Sequence, residues 1–217
     1  MKLSFKQHEI DHHILKLIVG LIALTLANVT AFFSVEPLQS ISASYHEGGW
    51  PRDFLVGSLF AISSFLIAYN GETPLEMVLS KVAGISALGV ALFPCDCDRG
   101  NEIIPYVHYA SAAAMFVVLA CFCWIFYRRA RAKGHREAAW RSYLYAMCGT
   151  AILVAVAVLA LDFFTGEAIR DKIPRLVFYG EQAGLVAFGI SWLVASRVLP
   201  IITAKEERVS VLPVTAS

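Results

Sequence analysis

The side chains able to do chemistry are few, and they crowd into three short stretches of an otherwise apolar chain. The densest is Ser40-Ile41-Ser42-Ala43-Ser44-Tyr45-His46-Glu47-Gly48-Gly49-Trp50-Pro51-Arg52-Asp53. Cys95-Asp96-Cys97-Asp98 and the pair His108-Tyr109 form a second group, and Asp162 and Glu181 a third. Imidazole and carboxylate suit zinc and related ions, so His46, His108 and Glu181 make a candidate metal set, with Asp53 or Asp98 as alternates. Two histidines on separate loops are more often ordinary polar residues. Alternating Ser40, Ser42 and Ser44 would line one side of an extended segment, and a serine nucleophile among them would need a base close by. Cys95 and Cys97 are open to three readings: a disulfide, a thiolate pair or two unpaired thiols. Arg52 is the natural partner for a phosphate or carboxylate head group.

The elements that must position these residues are written in the composition. Of 217 residues, 58% are hydrophobic and 16% charged, and apolar runs of about 18–24 residues recur, each long enough to cross about 30 Å of hydrocarbon as a helix. Six spans are expected, near 17–33, 51–69, 77–93, 106–127, 143–164 and 175–199. The fold class is therefore all-α, a polytopic transmembrane bundle of six helices forming one domain over 1–204, with a short polar tail over 205–217. The first span reads as retained, because no small-x-small cleavage site follows it. Gly84 and Gly89 give the third span a small-residue face for close helix approach. Cys121, Cys123 and Cys148 sit inside apolar runs and read as small hydrophobes.

Lys and Arg favour one side. With the N-terminus cytoplasmic, 13 of the 18 basic residues lie inside, leaving only Arg52, Arg99, Arg170, Lys172 and Arg175 outside, so both termini are expected in the cytoplasm. The run Arg128-Arg129-Ala130-Arg131-Ala132-Lys133 and its continuation to Arg141 reads as a topology determinant that suits anionic lipid. His8, His12 and His13 precede the first span as an interfacial amphipathic turn or a metal-binding trio. A net charge of +1 with no basic, aromatic-interleaved module argues against nucleic acid as a partner.

That topology brings Ser42, Tyr45, His46, Arg52, Asp53, His108 and Glu181 to one face, the outward one, as candidate ligand-binding residues. Glu181 stands six residues past Arg175, roughly 9 Å below the boundary at 1.5 Å per residue. An acid there costs about 2.5–3.5 kcal/mol, so it must face the bundle interior and have a partner. His108 and Arg52 are the expected partners, and a purely structural pin of helix register competes with a site role. Gly180, Ala183 and Gly184 around it are small enough for tight packing. Asp162 lies nearer the surface and reads as solvated. Trp50-Pro51-Arg52-Asp53 starts the second span: Trp50 at the interface, Pro51 in the first turn, Asp53 complementing the helix dipole.

The pattern Ser40-Ile-Ser-Ala-x-Tyr45-His46, then Arg52-Asp-Phe-Leu-Val-Gly57, Ala91-Leu-Phe-Pro94 and Val107-His-Tyr109, resembles a group of bacterial six-span membrane proteins of unknown function. More distantly it is similar to the FRAG/DRAM/Sfk superfamily, and the likeness covers about residues 15–200. Distant members are associated with lipid-anchor remodelling and lipid handling, so the resemblance implies a lipid-related role. Alkaline-ceramidase-like hydrolases are a weaker likeness; they have seven spans where this chain has six.

Together these readings predict a protein of the bacterial inner (plasma) membrane whose outward polar pocket binds a lipid head group or similar amphiphile. A metal-dependent hydrolase of a lipid amide or ester, with zinc activating water, is the alternative, and a small transporter or channel subunit the second. Whether the chain is an enzyme stays open at this stage. Membrane lipids are the expected partners, with homo-oligomerisation open.

Overall fold

The computed structural model describes residues 11–95 and 106–209. Among these the structure is helical throughout, with seven α-helices and no strand. They are α1 (His12–Phe33), α2 (Ser44–Glu47), α3 (Gly49–Ala68), α4 (Pro74–Leu92), α5 (Val107–Arg131), α6 (Arg136–Phe164) and α7 (Leu176–Ala195), followed by a 3-10 turn at Lys205–Glu207. All but the four-residue α2 are long and apolar enough to cross a membrane.

The six long helices form a closed ring. Each packs on its neighbour in sequence, and α7 returns to α1. Consecutive helices run in opposite directions, as short connections demand. One end of the bundle therefore gathers residues 33–49, 92–95, 106–107 and 164–176, here the serine end. The other gathers 12–16, 68–76, 128–141 and 195–209, the arginine end.

Because lipid tails are as apolar as leucine, close packing rather than burial from water must hold such helices together. At the α1–α7 seam, a Cβ on Gly20 would lie 2.9 Å from the Leu193 nitrogen, and one on Gly189 would lie 2.9 Å from the Gly20 oxygen. The expected small face of α4 is present: Gly84 abuts Ile67 and Ser63 of α3, and Gly89 abuts Ser111 of α5. Ser63 seals the first of these contacts, its hydroxyl donating to the Gly84 carbonyl at 2.8 Å. Tyr69, Phe122, Phe188 and Trp192 are fully buried and meet ring to ring at 5.3–6.2 Å in the half of the bundle toward the arginine end. Large apolar side chains such as Val117, Leu153 and Val154 face outward, as a lipid-facing surface requires.

Several helices outrun the apolar windows that announce them. The sixth element begins at Arg136, seven residues before the expected start at 143, and the fifth ends at Arg131, beyond the expected 127. Long cationic side chains reach back to the interface while their backbone stays helical, so charge marks the edge of the hydrocarbon rather than the end of the helix. Beyond α7, Lys205–Glu207 forms a 3-10 turn tied to the bundle by ion pairs from Glu207 to Lys133 and Arg141.

Candidate functional site

The serine end is built around Glu181. Residues 38–47 turn inward, and the carboxylate of Glu181 accepts from the Ile41 backbone N–H at 2.5 Å, the Ser42 hydroxyl at 3.1 Å and the Ser40 hydroxyl at 3.4 Å. Serines suit this turn because their hydroxyls also bond locally: Ser40 accepts from the Ala43 N–H at 3.2 Å, and Ser44 donates to the Ile41 carbonyl at 2.7 Å. Two further bonds tie the same loop to the start of α7. Arg175 donates to the Leu38 carbonyl at 2.8 Å, and the Phe178 N–H to the Gln39 carbonyl at 3.0 Å. The inward face expected for Glu181 is thus present. Its expected partners, His108 and Arg52, are replaced by the serine turn.

The two histidines hang on one segment. His46, in α2, bonds the Cys95 carbonyl through Nε2 at 2.7 Å, and His108, in the first turn of α5, bonds the Phe93 carbonyl through Nδ1 at 2.8 Å. Both rings brace the exit of α4, whose last carbonyls have no helical partner of their own. Cys95 is disulfide-bonded, while Asp96, Cys97 and Asp98 lie outside the described residues. Among the described residues no three His, Cys, Asp or Glu side chains are grouped to hold a metal ion; His46, His108 and Glu181, expected as ligands for zinc, are each bonded as given above.

The run His8-Glu9-Ile10-Asp11-His12 matches H-E-x-x-H, a spacing the outward-site reading overlooks. That motif needs both histidines on one helix face. Here α1 begins only at His12, with Asp11 in an extended conformation as its cap, and the His12 ring meets the Tyr69 ring edge-on at 5.2 Å. His8 and Glu9 lie outside the described residues.

The other expected site residues line a groove. It is open, about 350 Å³ beside α3 and α4, and lined by the polar Tyr45, Arg52 and Asp53 and the apolar Val56, Ala91 and Leu92. Arg52 reaches Asp53 at only 3.4 Å, and both side chains are open to the surroundings. Asp162, expected to be solvated, is instead buried. It accepts the N–H groups of Ile169 and Arg170 at 3.0 and 2.8 Å and so closes the turn after α6.

Sequence reasoning missed the arginine end. Glu76 is 0% exposed there and pairs with Arg129, which also holds Glu72 at 2.8 Å. The Tyr69 hydroxyl donates to the same Glu76 carboxylate at 3.3 Å. The available signal was Thr73-Pro74-x-Glu76, a capping pattern with proline at the first position; Thr73 does cap α4, accepting from the Glu76 N–H at 3.2 Å. Starting the span at 77 left Glu76 in a loop. Across the same end, Glu207 pairs with both Lys133 and Arg141.

The fold and its two polar ends define a class, an all-helical protein with six helices able to span a membrane. No protein-family model, curated protein or solved structure matches the chain.

Proposed function

We propose that the chain is a multi-pass protein of a bacterial inner membrane, N-terminus cytoplasmic, that binds an amphiphile in the groove beside α3 and α4. The observation that carries this reading is the groove's mixed lining, the polar Tyr45, Arg52 and Asp53 beside the apolar Val56, Ala91 and Leu92. A lipid needs both kinds of lining, polar groups for its head group and apolar ones for its chain. The polar residues include one charge of each sign in loose contact, and an exposed pair of that kind contributes about 0–1 kcal/mol, so a ligand displaces it at little cost. A zwitterionic head group fits best, its phosphate on Arg52 and its ammonium on Asp53. The likeness to FRAG/DRAM/Sfk proteins points the same way. Glu181 and the two histidines serve this groove from behind by holding the loop that carries Tyr45, which leaves the hydrolase reading without a grouped set of ligands among the described residues.

Native mass spectrometry of the detergent-purified protein tests the reading. Wild-type protein is expected to retain phosphatidylethanolamine in preference to phosphatidylglycerol, and Arg52→Ala to lose most of it. Equal lipid retention by the two proteins would overturn it.

A further inference from the structure

The arginine end holds a second cavity, unrelated to the groove. It is small, about 30 Å³, and five cations wall it: Lys16, Arg129, Lys133, Arg141 and Arg197. Three carboxylates reach these cations. Arg129 is taken by Glu72 and Glu76, while Lys133 and Arg141 share the single carboxylate of Glu207. Lys16 and Arg197 have no ion pair among the described residues, which leaves an excess of two positive charges around one small volume. Lys16 is only 3% exposed and rests its ammonium 5.3 Å from the Tyr69 and Phe126 ring centres.

Arg141 supplies the second observation. It is 3% exposed, and its Nη1 has no hydrogen-bond partner although its Nη2 holds Glu207 at 2.5 Å. Buried guanidinium donors left unmade are costly, and the fork of an arginine suits an anion offering several oxygens. Glu207 offers two, and it spreads them over Lys133, Arg141 and, at 3.5 Å, His135. It arrives from the chain's last described segment, where the Val209 N–H bonds the Arg197 carbonyl at 3.2 Å.

We propose that this cavity is a binding site for a phosphate monoester dianion, and that Glu207 stands in for the ligand and must leave for it to bind. A tetrahedral dianion supplies the extra oxygens that Arg141 Nη1, Lys16 and Arg197 lack; with Glu207 gone the surplus is three positive charges, and the dianion offsets two of them. Carboxylate ligands are disfavoured because one, Glu207, is already present and leaves two charges unmet. The phosphate comes either from a phospholipid or from a free solute, since the cavity lies where the helices end and head groups sit.

The test uses the full chain in phosphatidylcholine nanodiscs, titrated with inorganic phosphate in one arm and loaded with phosphatidic acid in the other. Removing an internal competitor raises apparent affinity by the reciprocal of the open fraction, so Glu207→Gln is expected to bind at least ~tenfold tighter than wild type. Adding Arg141→Gln to that variant is expected to abolish the gain. Binding in the first arm identifies a soluble phosphate, and binding in the second alone a lipid. Hydrogen exchange on unmodified protein is the independent check: saturating probe is expected to release protection of residues 205–209. No gain in Glu207→Gln in either arm, or unchanged exchange at 205–209 under saturating probe, would overturn the proposal.

Discussion

The backbone N–H of Ile41 donates to the carboxylate of Glu181 at 2.5 Å, across 140 residues of sequence. One side chain deep in the last span thereby fixes the loop after the first. Two serine hydroxyls complete its shell, and α7 cannot slide along its axis without breaking all three bonds. Glu181→Ala is expected to lower stability by about 1–3 kcal/mol, the cost of leaving such donors unmet, with Glu181→Gln retaining most of it. Unfolding in mixed micelles at increasing SDS fraction measures both. Equal loss in the two variants would show that shape rather than hydrogen bonding is at stake.

Arg129 and Glu76 give a stronger effect. Removing one partner of a buried pair strands the other charge, so Arg129→Met is expected to cost about 3–5 kcal/mol. Replacing both, with Glu76→Met added, is expected to recover much of that loss. The same SDS titration reads it, and a double variant no more stable than Arg129→Met would refute the pairing argument.

Acid should loosen the C-terminal segment. Burial raises the Glu207 carboxyl, but hydrogen bonds from Lys133 and Arg141 outweigh it and hold the group at about 2, below its ordinary 4.5. A depressed value means that the stabilisation is complete above the unfolded value and fades as pH falls from 4.5 through about 2. Hydrogen-exchange protection of 205–209 is expected to decline over that window in wild type and to be flat there in Glu207→Gln. A wild-type profile equally flat would remove the ion pairs from the account.

Orientation has a direct check. Val35 and Ile201 are both 91% exposed and sit at opposite ends. In a background lacking the native cysteines, Val35→Cys is expected to react with impermeant maleimide on intact spheroplasts, and Ile201→Cys only after lysis. The reverse pattern would place the groove in the cytoplasm.

Much of this architecture was legible in the chain. Apolar runs long enough to cross a bilayer leave few alternatives, and an acid as deep as Glu181 has to turn inward. The partner of Glu181 was not legible, because it is chiefly a backbone N–H and two hydroxyls in a re-entering loop, groups that every loop possesses. Asp162 was misjudged for a related reason: depth suggested water, whereas the N–H groups of Ile169 and Arg170 curl back over it. At the arginine end the error had another source. Hydropathy assigns Lys16, Glu76 and Arg141 to the margins of spans, but helices continue through those margins and bury all three side chains.

Closure of that ring has a bearing on biosynthesis. The seam joins α1 to α7, Gly20 against Gly189, and among the six described spans these are the first and the last to leave the ribosome. Until α7 is threaded into the bilayer, α1 must wait with one flank covered only by lipid or by an insertion factor. Closure of the ring therefore waits for synthesis of α7, and a nascent chain stalled before Leu176 carries an unsealed edge on α1.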